Sequence, residues 1–421
     1  MNAFRSSIGV RHPHWLTQLV LFAAIIVVLF SELALAMSMS PPTQERNQLK
    51  PGQALETANG SKRHTIYVGS TRAVKTIAAA SLLVKAGDVV EVDAGDYVGD
   101  VAVWNIDNVT VRAIGGRARL LANGFAAEKK AIWVVRASGF SVDGFDFQGA
   151  KVGDRNGAGI RFESGSLLVR NCTFLFNETG LLTSDSAVAE LVIEQSEFGH
   201  NGGGDGQSHN LYVGAIARLV VIGSYFHHGR VGHLLKSRAA VNFIRNNRLT
   251  DEVDGRASYE LEFPTGGVAY VIGNLIQQGP LTKNRHIISY GAEGYRGAIN
   301  ELYLVNNTLI DDLPGRGRFL WVRSGAAVVQ AVNNLLVGNG TMESAATSGF
   351  RNNFSVDEGE LARTVDSAYR LHQGFRLLGR AVDPGSVNGV PLMLEAEYVH
   401  PRMVVPLDGP VRHPGALQRM Q

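Results

Sequence analysis

The chain has 421 residues, of which 48 are glycine and 19% are charged, and its formal net charge at pH 7 is +2. A balanced charge without a Lys/Arg-rich run argues against a nucleic-acid partner, and the single cysteine, Cys172, excludes an internal disulfide. Many glycines and few charged residues favour a chain with numerous tight turns over one rich in solvated helix.

The N-terminal segment has the features of an export signal. Two arginines precede an apolar stretch from Leu16 to Phe30, and the small-residue sequence Ala34-Leu35-Ala36 follows it. This order predicts that residues 1–36 are a secretory signal peptide. The apolar stretch is long, so an uncleaved anchor formed by residues 15–36 in the inner membrane is the alternative. Either way, we expect the rest of the chain in the periplasm or outside the cell.

A linker and a short helix are predicted next. Residues 37–64 lack apolar periodicity and are interpreted as a linker. Helical spacing then predicts an amphipathic helix from Thr71 to Val84, with an apolar face made of Val74, Ile77, Ala78, Ser81 and Leu82. A solenoid needs a cap over its first open coil, and this helix is suited to that role.

One short phrase recurs along most of the remaining chain: a few apolar residues, a polar step, then an apolar pair. Its last residues are Phe147, Phe174, Phe198, Phe226, Leu249, Ile276, Leu309 and Leu336. The steps between these positions are 27, 24, 28, 23, 27, 33 and 27 residues. Apolar residues alternate with polar ones inside each unit, which predicts short strands. A period of this length indicates stacked units of a solenoid, because a single coil cannot bury its apolar side.

Asparagine recurs at one turn of the repeat. It stands at positions 171, 246, 247, 274, 306, 307, 333, 334, 352 and 353. Asparagine tolerates left-handed backbone geometry, and stacked asparagines can hydrogen-bond to one another along the stack. We therefore expect an asparagine ladder, with Cys172 as a small buried residue in the same slot.

Two segments resemble a known family. The phrase from Gly87 to Tyr97 and the closing Gly415-Ala416-Leu417-Gln418 resemble those of right-handed parallel β-helix proteins of the pectate-lyase-like superfamily. The resemblance implies an all-β, right-handed parallel β-helix solenoid over residues 65–356 with a short N-terminal capping helix, and a C-terminal capping or extended segment over residues 357–421. This scaffold hosts lyases, hydrolases, epimerases and binding proteins, so it does not define the activity.

Residues able to do chemistry concentrate between His209 and Trp321. We align the strands there with Leu211, Leu234, Leu261, Ile287 and Leu320 pointing inward. Alternation then predicts one outward column of Asn210, His233, Glu260, His286 and Phe319. It predicts a second outward column of Tyr212, Leu235, Glu262, Ile288 and Trp321. Coils stack about 4.8 Å apart, so His233, Glu260 and His286 are expected to be neighbours on one open face.

Lys236 does not fit this alignment. Strict alternation points it inward, where an unpaired ammonium is too costly to bury. Either its strand ends before Lys236, or the lysine has a partner, for which Glu260 or Glu262 is predicted. A partly desolvated lysine can act as a base.

A narrower resemblance concerns the same lysine. Lys236-Ser237 followed by Phe243-Ile244-Arg245-Asn246-Asn247 resembles the "KS…YRxN" phrase of β-helix alginate and chondroitin lyases. In that family the lysine removes the proton beside a uronate carboxylate, and an arginine one coil later assists. Here the arginine position falls near Phe263-Pro264, and histidines replace the family's acidic calcium ligands. Arg238 or Arg285 is the candidate substitute for the missing arginine.

These observations define the predicted site. The candidate catalytic residues are His233, Lys236, Arg238, Glu260 and His286. The candidate substrate-binding residues are His209, Asn210, Tyr212, Tyr259, Glu262, Arg285, Tyr290, Trp321 and Arg323. His227 and His228 are expected in a turn, and no Cys/His set has the spacing of a zinc site, so neither a metal nor a cofactor is predicted.

Two functions remain open from the sequence. The first is an exported carbohydrate-active enzyme, a lyase that cleaves a uronate-containing polysaccharide by β-elimination. The alternative is a non-catalytic glycan-binding or cell-envelope protein. In both cases the expected partner is a polysaccharide or other glycan, and the chain is expected to be a monomer that is attached to the membrane only if the N-terminal segment is retained.

Overall fold

The computed structural model describes residues 64–344, 349–363, 369–372 and 374–419. The predicted export segment and almost all of the predicted linker lie outside these residues. Among the described residues, no helix has the length and apolar character needed to cross a membrane. The chain folds into a right-handed parallel β-helix of about 10 turns with almost no α-helix, which confirms the predicted fold class.

Each turn of the solenoid, or coil, contributes strands to three parallel sheets that run along its length. Sheet I contains Thr65–Val68, Ser186–Glu194, Ile216–Ile222, Val241–Arg245, Val268–Ile272, Glu301–Val305, Val328–Val332 and Gly349–Arg351. Sheet II contains Phe145–Gln148, Thr173–Leu175, Glu197–Gly199, Tyr225–His227, Arg248–Thr250, Leu275–Gln278, Thr308–Asp311, Leu335–Val337 and Phe354–Val356. Sheet III contains Ala102–Trp104, Thr179–Thr183, Leu211–Val213, Leu235–Ser237, Leu261–Phe263, His286–Tyr290, Arg318–Val322 and Thr341–Ser344.

Four long strands turn the corners between sheets in the first coils. Val89–Val98 and Thr110–Leu121 run from sheet I into sheet II, and Ala131–Asp143 and Ala158–Arg170 run from sheet III into sheet I. All pairings in this network are parallel, so each coil hydrogen-bonds to the coils before and after it.

The interior is filled by stacked columns of like side chains. Phe147, Phe174, Phe198 and Phe226 stack with ring centroids 4.9, 4.6 and 4.8 Å apart and nearly parallel planes. Each of these residues ends one repeat of the sequence phrase, so one repeat of the sequence forms one coil of the solenoid. The burial of one apolar residue per coil at each column gives the solenoid its continuous core.

The asparagine ladder forms at the corner between sheets I and II. Asn247, Asn274, Asn307, Asn334 and Asn353 are stacked, and each Nδ2 donates to Oδ1 of the next at 2.8–3.1 Å. The residues before them, Asn246, Asn306, Asn333 and Asn352, have φ between 49 and 58°. Cys172 occupies the same slot in an earlier coil and is fully buried, and burial raises its thiol pKa to about 12.

A short helix, α1 (Ile77–Leu83), lies at the N-terminal end and buries Ile77 and Ala80 against the first coils. It begins later than predicted because Thr76 is its N-cap and the Asp100 carboxylate accepts from the backbone N–H groups of Ile77 and Ala78 at 2.6 and 2.9 Å. Leu82, predicted on the apolar face, is 86% exposed.

The C-terminal segment is antiparallel. Its hairpins are Leu361–Arg363 with Tyr369–Leu371, Ser386–Val387 with Val390–Pro391, and Ala396–Val399 with Met403–Pro406, and Glu358–Glu360 is a 3₁₀ turn. Leu392 and Leu394 pack against Tyr270 and Tyr303 on the outside of sheet I. Leu361, Leu371 and Leu377 pack against Leu275, Ile310 and Leu335 of sheet II, so this segment covers the outer sides of sheets I and II.

Candidate functional site

Sheet III carries the predicted site, but its register differs from the predicted alignment. Leu211 pairs with Leu235, Leu235 with Leu261, Leu261 with Ile288, and Ile288 with Leu320. The prediction was wrong by one residue at Leu234 and Ile287. Both coils carry two adjacent apolar residues, Leu234-Leu235 and Ile287-Ile288, and all four are buried because the chain enters sheet III at an inside corner. The alternation of apolar and polar residues cannot show which of two adjacent apolar residues lies in the strand register.

The corrected register turns Lys236 outward. It lies in one row with Tyr212, Glu262, Ser289 and Trp321. Its Nζ is 3.3 Å from Glu262 Oε2 and 3.2 Å from Glu293 Oε1, so Glu262 is a partner as predicted and Glu260 is not. The predicted inward position of Lys236 is therefore wrong, and no buried unpaired ammonium is present there.

Three predicted site residues lie inside the solenoid and are not accessible to a substrate. Asn210 is fully buried, and its Oδ1 accepts from Asn201 Nδ2 at 2.8 Å in a second ladder. Tyr290 is fully buried and donates its hydroxyl to Gly267 O at 2.5 Å. Glu260 is fully buried, so the prediction that it stands on the open face between His233 and His286 is wrong.

A group of oppositely charged side chains, the sheet III charge cluster, is formed by Lys236, Arg238, Glu262 and Glu293 together with Tyr212. Arg238 donates from Nη1 to Tyr212 Oη at 2.7 Å and from Nη2 to both carboxylate oxygens of Glu293 at 2.6 and 2.7 Å. Partial burial opposes ionisation of Glu293, but hydrogen bonds and charge from Arg238 and Lys236 outweigh it and lower the pKa of Glu293. One carboxylate is therefore held between two cations at the surface.

Two buried histidines, His209 and His233, lie beside this cluster and contact each other and Glu262. The backbone N–H of His233 donates to His209 Nδ1 at 2.9 Å, so that nitrogen carries a lone pair. His233 Nδ1 lies 3.0 Å from the same lone pair and is assigned the proton. His233 Nε2 then turns its own lone pair toward Glu262 Oε2 at 3.1 Å.

The pKa shifts of His209, His233 and Glu262 follow from burial. Burial lowers the pKa of His209 to about 3 and the pKa of His233 well below its usual value, so both imidazoles are neutral at pH 7. Burial also raises the pKa of Glu262, against the opposing charge of Lys236. Glu262 is therefore a buried acid whose pKa is raised by burial, while the ammonium of Lys236 beside it opposes that rise.

Aromatic and imidazole rings form a ladder along the start of sheet III. It contains Tyr212, His209, His233, Tyr259, His286 and Trp321, with successive ring centroids 5.5, 4.5, 4.8, 6.0 and 5.6 Å apart. His233, Tyr259 and His286 are the neighbours here, so a tyrosine takes the place in which Glu260 was predicted. This ring ladder spans five coils beside the charge cluster.

The remaining predicted residues lie at the edges. Arg285 is exposed in the loop before its strand, and Arg323 is exposed and donates to Ala292 O at 3.2 Å. Sequence reasoning missed Glu293 and Arg318, whose Nη1 is 3.3 Å from His286 Nε2. Glu293 lies in the turn after the strand His286–Tyr290, where sequence periodicity cannot place a side chain. The only signal in the sequence is an acidic residue in a glycine-containing turn, Gly291-Ala292-Glu293-Gly294.

Comparisons with known proteins bear on the fold. No protein-family model matches the chain, and no curated protein sequence matches it. Among solved structures, pectate lyase Pel9A superposes with a TM-score of 0.55 at 14% identity, covering 78% of this chain and 94% of that one. A pectin methylesterase from Aspergillus niger gives a TM-score of 0.36 at 12% identity, covering 70% and 91%. A mutant of the PL6 family alginate lyase AlyGC gives 0.32 at 15%, covering 74% and 55%.

The likeness to pectate lyase shows a shared pectate-lyase-like parallel β-helix. At 14% identity it shows the fold alone, so the chemistry of this chain has to be argued from its own residues.

Proposed function

We propose that this chain is a carbohydrate-active protein that binds a uronate-containing polysaccharide along sheet III and cleaves it by β-elimination. The observation that carries the proposal is the contact of Glu293 with both Lys236 and Arg238. The two cations already hold one carboxylate, so they are spaced to hold the carboxylate of a uronate unit once Glu293 moves aside. A cation on that carboxylate is what the elimination requires.

The ring ladder supports a polymeric ligand. Its rings run along five successive coils next to the charge cluster, and the less buried ones, Tyr212, Tyr259, His286 and Trp321, present their edges to the outside. Aromatic side chains combine a large apolar surface with polar edges, which suits the mixed faces of a sugar chain. The partners proposed here are therefore an extended acidic glycan and no nucleic acid, with the chain acting as a monomer.

In the elimination, a base removes the proton from the carbon beside the uronate carboxylate. The electron pair of that C–H bond forms a C=C double bond, and the glycosidic oxygen leaves and takes up a proton. The contacts of Lys236 with two carboxylates suit a carboxylate clamp better than a base, because its ammonium is already engaged as a donor. This differs from the role that the lyase resemblance implies for the lysine.

Tyr212 is the residue that we assign as the proton acceptor, and it must first release its own phenol proton to solvent so that the phenolate oxygen can take the substrate proton. Its Oη accepts from Arg238 Nη1 at 2.7 Å, which places the phenol oxygen beside the carboxylate clamp. His233 is neutral, but it is buried and turned toward Glu262, so it fits a supporting role. General-base catalysis of this kind contributes about 10²–10⁴-fold to a rate.

The test is the absorbance of unsaturated products on a panel of uronate polymers, combined with binding measurements. Tyr212→Phe keeps the ring and removes the hydroxyl, so turnover should fall by about 10²–10⁴-fold with little change in binding. Lys236→Met should weaken binding instead. Tyr259→Phe is the matched control, since it removes a hydroxyl from the ring ladder outside the clamp, and it should retain turnover.

Two results together would overturn the proposal. They are the absence of unsaturated product on every polymer, and unchanged polymer binding in Lys236→Met. Loss of turnover in Lys236→Met with normal binding, and normal turnover in Tyr212→Phe, would return the role of base to the lysine.

A non-catalytic glycan-binding or cell-envelope protein is the second candidate. The observation that favours it is again Glu293, because a carboxylate supplied by the chain itself neutralises the clamp. Under this proposal, affinity electrophoresis shows retardation by acidic polymers without any product. Retardation that is reduced in Trp321→Ala, still without product, would support this candidate over the lyase.

Export is also a proposal. We infer it from the signal-peptide pattern of residues 1–36, with an anchor of residues 15–36 in the inner membrane as the alternative. Cell fractionation combined with mass spectrometry of the mature N-terminus distinguishes the two. A chain recovered in the cytoplasm with an intact N-terminus would contradict both.

A further inference from the structure

A second cluster of side chains lies apart from the sheet III charge cluster, where sheet II ends and the chain turns toward sheet III. Gly199 and His227 pair across adjacent coils, so His200 and His228, the next residues, occupy the same corner position. Both have positive φ, 54 and 45°, which turns their rings out of the strands. Ligand nitrogens of His200, His227 and His228 all lie within 4.8 Å of one another.

Carboxylates fix the orientation of two of these rings. His227 Nε2 lies 3.3 Å from Glu197 Oε1, and His228 Nε2 lies 2.9 Å from Asp254 Oδ1. Each Nε2 therefore carries the hydrogen and donates it to a carboxylate. The unprotonated Nδ1 atoms of the two rings then face each other at 2.5 Å. Two nitrogen lone pairs at this distance repel, so the arrangement calls either for a proton shared between them or, with the nitrogens moved apart, for a metal ion.

We propose that His200, His227 and His228 bind a divalent transition-metal ion, with Zn²⁺ as the ion best suited to three neutral imidazoles. A histidine that ligates a metal through one ring nitrogen commonly donates the hydrogen of the other to a carboxylate, as Glu197 and Asp254 provide here. Zinc–nitrogen bonds are about 2.0–2.1 Å long, so two ligand nitrogens on one tetrahedral ion stand roughly 3.3 Å apart, and the Nδ1 atoms of His227 and His228 must separate to admit the ion.

His200 is the ligand that has to move most. Its ring is stacked on the His228 ring at 4.5 Å with an interplanar angle of 26°, and on the Phe176 ring at 5.0 Å. A ring nitrogen binds a metal in the plane of its own ring, so His200 must rotate out of this stack. Three histidine ligands leave a fourth position on a tetrahedral zinc ion for water or another ligand.

The site is independent of the proposed glycan chemistry, because none of its three histidines belongs to the ring ladder or the charge cluster. It also departs from the expectation that His227 and His228 only form a turn. The sequence does not indicate the histidine cluster, because His200 is separated from His227 by a whole coil. Only the strand register shows that the two positions are adjacent.

The test is direct metal binding by the untagged chain, treated with a chelator and then titrated with Zn²⁺ alone against a chromophoric zinc indicator. One equivalent per chain is expected. His227→Ala should abolish binding, and His200→Ala should weaken it by at least tenfold. Asp254→Asn should weaken it by about 10–100-fold through the lost orienting hydrogen bond. His64→Ala is the matched control, because His64 is exposed and remote in sequence, and it should bind as the wild type does.

The variants keep the test decisive even if one of them folds poorly. His227 is buried, so its loss can disturb the coil, whereas the Asp254 side chain is 72% exposed and its amide variant should fold normally. The proposal is overturned if the wild type binds no zinc. It is equally overturned if His200→Ala and Asp254→Asn both bind zinc with wild-type affinity. The contact between the two Nδ1 atoms would then be bridged by a proton.

Discussion

Replacing Glu260 by glutamine should change the pH dependence of folding stability. The Glu260 side chain is fully buried, and neither of its carboxylate oxygens hydrogen-bonds to another described residue. Burial, and then the nearby carboxylates of Asp251 and Asp311, raise the pKa of Glu260 well above its usual value. The folded chain therefore carries this group protonated and neutral.

The sign follows from the raised pKa. Below the unfolded value of 4.5, Glu260 is protonated in both states, and its contribution to stability is fully present. Above pH 4.5 the unfolded chain releases the proton while the folded chain keeps it, so stability is lost as the pH rises toward the folded-state pKa. One proton corresponds to about 1.36 kcal/mol per pH unit, and this slope applies between the unfolded value and the folded-state pKa.

Urea unfolding of the wild type and of Glu260→Gln at several pH values between 4.5 and 7 measures this effect. The free energy of unfolding of the variant should gain on that of the wild type by up to about 1.36 kcal/mol per pH unit. The buried amide of the variant adds an offset that does not change with pH, so the slope isolates the proton. Glu190→Gln removes an exposed carboxylate and is the matched control, with no comparable slope expected. Parallel curves for wild type and Glu260→Gln would refute the reasoning, because they would mean that Glu260 ionises in the folded chain.

Three further changes have clear expected outcomes. Glu293→Gln removes the carboxylate that competes for Lys236 and Arg238, so affinity electrophoresis should show tighter binding of uronate oligomers, and weaker binding would contradict the clamp. Trp321→Ala removes the last ring of the ladder and should cost about 0.5–1.5 kcal/mol of glycan binding, or roughly 2–13-fold in Kd. Asn307→Ala interrupts the asparagine ladder and leaves buried partners unpaired, at about 1–3 kcal/mol for each group, as urea unfolding should show.

The fold could be predicted from the sequence because the repeat encodes it directly. The phrases that end at Phe147, Phe174 and Phe198 recur once per coil. The rings of these three phenylalanines stack in successive coils, as the sequence period predicts. The asparagine ladder could also be predicted, since asparagine recurs at one turn of the repeat and tolerates left-handed backbone geometry there. Local sequence preferences and the overall fold agree at these positions, and this agreement allows the fold to be predicted from the sequence.

The candidate site was predicted only in part, because its orientation depends on register. Tyr212, Trp321 and Glu262 were placed correctly on the outer row of sheet III. Single apolar residues flank Tyr212 and Glu262 and fix the alternation there. Lys236 and Glu260 were placed on the wrong sides. Lys236 follows two adjacent leucines, and Glu260 stands at the corner where the chain enters sheet III and alternation does not yet apply.

Glu293 shows a second limit. It belongs to a turn, and the contacts of its carboxylate with Lys236 and Arg238 join residues more than 50 positions apart. No spacing rule connects a turn residue to a strand two coils earlier. The pair can be found only when the coils are stacked in their true register.

The two proposed sites share one structural cause. The asparagine ladder holds the corner between sheets I and II to a turn of one or two residues in coil after coil. The opposite corner, between sheets II and III, carries loops of different length, such as residues 251–260 and 279–285. Because the ladder keeps the coils in register, the loops at the other corners can vary without shifting the stack. The histidine cluster lies at the corner between sheets II and III, and Glu293 of the charge cluster lies in a loop between sheets III and I. Stability and chemistry are therefore separable in this chain. Asn307→Ala should lower the free energy of unfolding while leaving zinc and glycan affinity unchanged at temperatures where the chain is folded. Lys236→Met should weaken glycan binding and leave zinc affinity unchanged.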